Sequence, residues 1–146
     1  MSEQKSILSL MTKDHEDIER LIKKLDESID LDYDAMKKAF EQFEWKLEKH
    51  IFVEEKAIYT FYEPMDIEHG YEMLPTIMKH HNFILNSLSI MRRQVQNGKK
   101  PEDHLQLKSF LHKHKNYEER EVYPRLDESL DNSQKKQVID RINEFK

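Results

Sequence analysis

Hydrophobic residues recur along this chain at the alternating three- and four-residue spacing of amphipathic helices. The clearest run has spacings of 4, 3, 4, 3, 4, 3 and 4 between residues that share one helix face. Its members are Met36, Phe40, Phe43, Leu47, His50, Glu54, Ala57 and Phe61. Two consecutive members, His50 and Glu54, are polar, so the pattern predicts polar side chains on the buried face of a long helix.

The same periodicity appears in four other segments, and together they predict an all-α fold. The predicted helices run from Ile7 to about Ser28, from Pro75 to Val95, from Glu102 to about Pro124, and from Val138 to Phe145. The last of these is a short fifth helix at the C-terminal end. A core-facing histidine falls on the apolar stripe of three helices besides the one already described, at His15, His81 and His114.

The predicted helix boundaries come from capping residues and prolines. Asp32 is a predicted N-cap, and Asp131 to Ser133 form a predicted capping turn before the fifth helix. Glu63-Pro64 is expected to end the second helix, and residues 65–74 are expected to form a connection with at most one helical turn. Pro75 suits the first position of a helix, where its missing N–H is not needed.

One polar motif occurs twice in the chain. His50 to Tyr59 and His114 to Tyr123 both follow the pattern His-x-x-x-Glu-Glu-x-x-(Ile/Val)-Tyr, at a constant offset of 64 residues. A looser repeat at an offset of 66 residues aligns the segments that begin at His15 and His81. The chain therefore resembles two copies of one helical hairpin, each with a histidine on its first helix and His-x-x-x-Glu on its second.

This repeat predicts a metal centre. Residues four apart lie on one helix face about 6 Å apart along the axis, so both side chains can reach one ion. A buried, unpaired carboxylate costs several kcal/mol, so Glu54 and Glu118 need cations or protons nearby. Packing histidines and Lys or Arg partners would explain single positions, but the occurrence of the same arrangement in both hairpins favours a buried metal.

The types of ligand restrict which metal this is. With no cysteine in the chain, iron–sulfur clusters and cysteine-bound zinc are improbable, and nitrogen and oxygen must hold the ion. Imidazole and carboxylate suit iron, manganese or zinc. Two glutamates able to bridge and four histidines indicate a dinuclear centre, whereas a haem between two histidines would leave both glutamates without a function.

Composition sets the remaining bounds. A chain of 146 residues with two Gly, four Pro and 36% charged residues fits one helical domain. The net charge of −5, with basic residues spread along the chain, argues against a nucleic-acid partner. The absence of a long apolar run, of a secretory leader after Met1 and of cysteine leads us to expect a cytoplasmic protein, of undetermined oligomeric state.

The order of the polar motifs is His15, His50-x-x-x-Glu54, His81, and His114-x-x-x-Glu118 followed by Val-Tyr-Pro. This order resembles the hemerythrin-like, or HHE cation-binding, domain from about His15 to Pro124. The resemblance implies a single domain over residues 1–146, built as an up-down four-helix bundle around two non-haem iron ions. It further implies that His15 and His50 hold one iron, that His81 and His114 hold the other, and that Glu54 and Glu118 bridge them.

Two positions differ from the oxygen-carrying hemerythrins. Those proteins have a second histidine on the third helix, where this chain has Leu85, and His-x-x-x-x-Asp where it has His114-x-x-x-Glu118. Candidates for an additional ligand are His69, His80, Glu55 and Glu119. Glu55 and Glu119 are more readily interpreted as residues that orient a ligating imidazole or as surface charges.

Other polar residues have simpler interpretations than a role in the centre. Tyr59 and Tyr123, five residues after the two glutamates, could approach the site, but packing in the bundle with the hydroxyl groups at its rim is the favoured role. His104 and His112 lie off the apolar stripes and are expected to be exposed, and His69 is expected in a loop.

Three functions follow from these features. The first is binding of dioxygen for storage or sensing. The second is a di-iron oxidoreductase acting on peroxide, nitric oxide or ferrous iron. The third is a helical interaction module whose core histidines bind no metal.

Overall fold

The computed structural model describes the backbone of residues 6–59 and 67–145, and the side chains of residues 6–59 and 74–145. Regular structure in this part of the chain is entirely helical, which confirms the predicted all-α class. The helices are α1 (Ile7–Ser28), α2 (Tyr33–Val53), α3 (Ile67–Gln96), α4 (His104–Tyr117), α5 (Tyr123–Ser129) and α6 (Asn132–Glu144).

Four of these helices form the predicted up-down bundle. Helix α1 packs against α2 and α4, and α3 packs against the same two helices, so the four close around one interior. The C-terminal α6 packs against α1 and against the end of α2. Short connections between α1 and α2 and between α3 and α4 are those expected of antiparallel neighbours.

Several predicted helix ends are confirmed by their capping bonds. The Asp32 side chain accepts a hydrogen bond from the backbone N–H of Ala35 at 2.8 Å, and α1 ends at Ser28 as predicted. Asp131 begins α6 with a capping box, in which its carboxylate accepts from the Gln134 N–H at 2.8 Å and the Gln134 side chain accepts from the Asp131 N–H. Such bonds satisfy N–H groups that have no partner within the helix.

The prediction for the start of α3 was wrong. The helix begins at Ile67, so His69 and Gly70 lie in a helix rather than in a loop, and Pro75 is inside it. Proline lacks the N–H that an interior position needs, and here the residue is exposed. The predicted stop at Glu63-Pro64 and the stripe position Phe61 lie outside the described residues.

Both helices that carry the repeated motif widen where the motif's first glutamate occurs. Residues Glu54–Ile58 follow α2 as a π-helical turn, and residues Glu118–Val122 follow α4 as a second one. We call these the first and second π turns. In a π turn the backbone hydrogen bond spans five residues instead of four, which widens the helix locally, and such turns occur frequently at functional sites. Pro124 follows the second turn at the start of α5, where the sequence predicted a kink or an end.

The apolar core is divided into two clusters. The first apolar cluster lies around α5, α6 and the π turns and includes Ile7, Ile58, Ile77, Leu126 and Val138. The second apolar cluster lies among α1 to α4 and includes Leu25, Phe40, Phe43, Leu88 and Met91. The repeated polar residues follow the first cluster and precede the second along α1 and α3. A polar layer therefore lies between two apolar regions.

Candidate metal centre

The six residues predicted as ligands come together in this polar layer. One histidine comes from each of the four bundle helices, and one glutamate begins each π turn. All six are buried, and the two glutamates are fully so. The residues are His15, His50, Glu54, His81, His114 and Glu118.

Imidazole nitrogens surround one oxygen of Glu118. Its Oε1 atom lies 3.1 Å from Nε2 of His15, 3.0 Å from Nε2 of His114 and 3.9 Å from Nε2 of His50. The Oε1 atom of Glu54 lies 2.7 Å from Nε2 of His50 and 3.7 Å from Nε2 of His81. Oxygen and nitrogen atoms from four helices and two π turns thus converge on one small volume.

The converging atoms form two groups, in each of which all potential ligand atoms lie within 4.8 Å of one another. The first group comprises His15, His50 and Glu118. The second comprises Glu54, His81, His114 and Glu118. Because Glu118 belongs to both, the arrangement fits two neighbouring ions with a shared carboxylate.

Missing hydrogen bonds provide the test of this fit. Among the described side chains, four buried polar atoms have no partner in hydrogen-bond geometry: Nε2 of His50, of His81 and of His114, and Oε1 of Glu54. A buried polar atom left unsatisfied costs about 1–3 kcal/mol. All four belong to the predicted ligand set, and a cation is the partner that would satisfy nitrogen lone pairs and a carboxylate oxygen together.

Charge at the centre follows from burial and from pairing. Burial raises the pKa of Glu118, but the neighbouring His114 and hydrogen bonds outweigh it and hold this pKa well below its ordinary value. Burial lowers the pKa of His50, but Glu54 and the hydrogen bond to Asp14 raise it well above its ordinary value. These shifts favour a charged Glu118 and a protonated His50 in the metal-free chain, and metal binding at His50 would release that proton.

Each of the four histidines also has a partner at its outer nitrogen, Nδ1. These outer partners are Glu119 for His15 at 2.9 Å, Asp14 for His50 at 2.5 Å, Glu55 for His81 at 3.0 Å, and His80 for His114 at 2.8 Å. An imidazole whose Nδ1–H donates outward presents the lone pair of Nε2 to the centre, which is the form that binds metal. The interpretation of Glu55 and Glu119 as residues that orient imidazoles agrees with these contacts.

The outer partners follow the repeat of the chain. Asp14 and His80 each precede the histidine of their own helix and contact the histidine of the next helix. Glu55 and Glu119 each follow the motif glutamate and contact a histidine of the other hairpin. The sequence signal for His80 is its alignment with Asp14 at the 66-residue offset.

The two tyrosines are not at the rim, which corrects the sequence-based expectation. The Tyr59 hydroxyl donates to Oε2 of Glu54 at 2.8 Å and to Oε2 of Glu118 at 3.0 Å, and the Tyr123 hydroxyl donates to Oε2 of Glu54 at 3.1 Å. Burial and the two carboxylates raise the pKa of both phenols well above the ordinary value, so they stay protonated. For Tyr59 the sequence signal is its position five residues after Glu54, since a π turn brings residues i and i+5 together. Tyr123 contacts the glutamate of the other motif, which this spacing does not indicate.

Sequence comparison identifies the family of this arrangement. The hemerythrin HHE cation binding domain matches residues 6–126. The chain belongs to this family. Comparison with curated proteins and with solved structures finds no significant match. Membership in the HHE family means cation binding, and the buried cluster of histidine and glutamate fits a metal site.

Neither position one turn from His81 in this HHE domain offers a further ligand. Leu85, four residues after His81, is 39% exposed and faces away from the centre. The residue four before His81 is Ile77, which is fully buried in the first apolar cluster. An inward position one turn from His81 is therefore occupied by an apolar side chain, and the second group gains no ligand from either position.

The remaining histidines lie away from the centre of the HHE domain where they are described. His112 is exposed, as expected. His104 is half-buried rather than exposed, because it contacts Asp26 at 3.0 Å and the carbonyl oxygen of Pro101 at 3.1 Å. The side chain of His69 is outside the described set. No helix in the described part of the chain has the length and hydrophobicity required to cross a membrane.

Proposed function

We propose that this HHE domain, as one domain over residues 1–146, is a cytoplasmic non-haem di-iron protein that binds dioxygen for storage or sensing. The observation that carries the proposal is the set of buried ligand atoms without hydrogen-bond partners. Three imidazole nitrogens and one carboxylate oxygen are held in place at the centre of a folded bundle, with their outer atoms already bonded. Such preorganisation suits a resident metal.

In this proposal each half of the chain's ligand set holds one ion. His15 and His50 bind one iron, His81 and His114 bind the other, and Glu54 and Glu118 bridge. Glu118 supports the bridging role most directly because it belongs to both groups of converging atoms. Glu54 contacts His50 of one pair and lies near His81 of the other.

Iron is proposed over zinc or manganese because of the side chains that would bind the metal and because the proposed small molecule is dioxygen. Nitrogen and carboxylate ligands without sulfur suit all three metals, and because dioxygen binding draws electrons from the metal, the redox-inactive zinc is disfavoured. Iron is preferred over manganese because of the resemblance to the di-iron hemerythrins. The protein's own part is to orient the imidazoles, keep water out and retain protons on Tyr59 and Tyr123. Both phenols donate to carboxylate oxygens rather than to solvent.

The first test is the metal content of freshly purified protein, with the visible spectrum of the reduced form before and after admission of air. The proposal predicts about two irons per chain and a spectral change that reverses when oxygen is removed. His81→Ala should lower the iron content, whereas the control His112→Ala, at an exposed position, should leave it unchanged. Iron-loaded protein that oxidises irreversibly in air would contradict dioxygen storage, and protein without metal would contradict the whole proposal.

A second function, a di-iron oxidoreductase acting on peroxide, nitric oxide or ferrous iron, is favoured by the two phenols. Tyr59 and Tyr123 place O–H groups within 2.8–3.1 Å of the carboxylates, where a substrate could receive a proton. This alternative predicts multiple-turnover loss of peroxide that falls in Tyr59→Phe while iron content is kept. A reaction that stops after one equivalent per centre would contradict it.

A further inference from the structure

An open cavity of about 660 Å³ lies between α1 and α4 and reaches the metal centre. Its inner end is formed by His15, His50 and His114, whereas neither bridging glutamate lines it. The cavity therefore lies beside the converging ligand atoms rather than among them. Its walls are mainly aliphatic and include Ile18, Ile22, Leu47, Ile51, Ile84 and Leu111.

The size of this cavity exceeds what a diatomic gas needs. A single water requires a cavity of about 10–15 Å³ on the comparable measure, and dioxygen is only slightly larger. Pockets that bind small organic molecules have volumes of about 300–1,000 Å³ and are lined mainly by apolar side chains with a few polar groups. The cavity at α1 and α4 belongs to this second class in both volume and lining.

Charges at the mouth of the cavity nearly balance. The charged lining residues are Lys23, Lys108, Lys113 and Lys115, against Glu19, Asp26 and Glu27. Several of them are paired across the gap between the helices, since Lys115 contacts Glu19 at 2.5 Å and Lys108 lies 3.7 Å from Asp26. A mouth of this kind offers little net field to attract an ion of either sign.

We propose that the cavity binds a small, uncharged organic molecule with a mainly apolar body, seated with one end against the imidazoles of the centre. The inference rests on the proposed function only in making this molecule a neighbour of the metal ions. The aliphatic walls favour burial of an apolar body, at roughly 25 cal/mol per Å² of surface removed from water. A charged body would lose its hydration against those aliphatic walls, and four of the seven charged lining residues are already paired with one another.

The test uses two fluorescent probes with the same ring skeleton, neutral phenylnaphthylamine and anionic anilinonaphthalene sulfonate, titrated into the full metal-loaded chain. The proposal predicts saturable binding of the neutral probe, at least about tenfold tighter than that of the anionic probe. Neutral-probe binding should also change the visible spectrum of the metal centre. Equal or tighter binding of the anionic probe would overturn the assignment of an uncharged ligand.

Variants that fill the cavity locate the binding. Leu111→Trp and Ser109→Trp each place a large ring in the lining of the cavity. Leu111 is half-buried and Ser109 is exposed, so at least one of the two variants should fold normally. Both should weaken the neutral probe by about tenfold or more. The matched control is Ile90→Trp, on an exposed face of α3 outside the cavity. Equal probe affinity in all three variants would overturn the site.

Iron content measured on each sample separates this inference from the proposed function. Two irons without saturable probe binding would overturn the inference and leave the di-iron function standing. Probe binding that is blocked by Leu111→Trp but leaves the spectrum of the iron-loaded chain unchanged would overturn the placement beside the centre. A chain that binds no iron would overturn the proposed function, while the two probes and the three tryptophan variants would still decide whether the cavity binds a neutral molecule.

Discussion

The two histidine pairs of the centre occupy equivalent positions of the repeat but have different outer partners. In the first half, His15 and His50 contact the carboxylates of Glu119 and Asp14. In the second half, His81 contacts a carboxylate, but His114 contacts the imidazole of His80. One substitution between aligned positions of the repeat, Asp14 and His80, makes the halves unequal.

The difference indicates how the outer partner of an imidazole changes the strength with which that imidazole binds a metal ion. A carboxylate that accepts the Nδ1–H makes the imidazole more electron-rich and adds a negative charge near the cation. A neutral imidazole that accepts the same proton provides less of both. Two carboxylates support the first half and one supports the second, so the first half should hold its metal more tightly.

The largest expected effect concerns the shared carboxylate. Glu118→Ala removes an oxygen common to both groups of ligand atoms, and iron content should fall from about two per chain to nearly none. Glu54→Ala removes the other proposed bridge, whose oxygen converges with the second group but not the first, and should lower the iron content less, to about one per chain. Metal analysis checks both, with the exposed Glu121→Ala as control. Equal losses in the two site variants would refute the difference between Glu118 and Glu54.

Metal removal should separate the two halves. A stepwise chelator titration should first release the ion of the second half and then that of the first. Because the ligands are assembled only in the folded chain, each loss should lower the melting temperature, by about 10 °C in total for roughly 4 kcal/mol of binding linkage. Calorimetry during the titration measures this, and a single-step loss of both metal and stability would show that the halves are equivalent.

Exchanging the residues at the aligned positions Asp14 and His80 tests whether they cause the difference in metal affinity between the two halves. His80→Asp should strengthen metal binding in the second half, and Asp14→His should weaken it in the first, each by about 10-fold and at most about 100-fold. Competition with a metal-binding dye gives the two dissociation constants. His112→Asp adds the same charge at an exposed position and should change neither, and a matching gain there would trace the effect to net charge instead.

The smallest effect is expected at the tyrosines. Tyr123→Phe leaves Oε2 of Glu54 with one donor fewer, and Tyr59→Phe removes a donor from both glutamates. Each change should lower the free energy of unfolding of the metal-free chain by about 1–3 kcal/mol, more for Tyr59. Urea denaturation measures the difference. If either variant lost iron instead, the hydroxyl would have to be essential for metal binding.

The sequence predicted the inward-facing residues because buried positions recur at a regular spacing along the whole length of a helix. His50 and Glu54 occupy positions of an apolar stripe many residues long, so the error in their orientation is small even when a helix end is misplaced. The family resemblance supplied the expected architecture, which the structure confirms. The assignment of the six residues as metal ligands stays a prediction.

Features that depend on small local differences in helix geometry were not predicted. The π turns at Glu54 and Glu118 change the helix by a single residue, and the hydrophobic pattern alone does not distinguish such a change from a regular helix. The inward position of the Tyr59 hydroxyl follows from that turn and was missed with it. The contact of His80 with His114 depends on the rotation of two helices about their axes, which residue spacing does not determine.

The crossed contacts of Glu55 and Glu119 have a consequence for the ancestry of the chain. Each hairpin provides an outer carboxylate for a histidine of the other, so a single hairpin could not complete its own set. Two identical hairpins related by a two-fold axis could exchange these carboxylates symmetrically, as isologous contacts require. A gene duplication that fused such a pair would retain both exchanges within one polypeptide. After such a fusion the two copies would no longer have to be identical, and Asp14 and His80 are aligned positions at which the two hairpins differ.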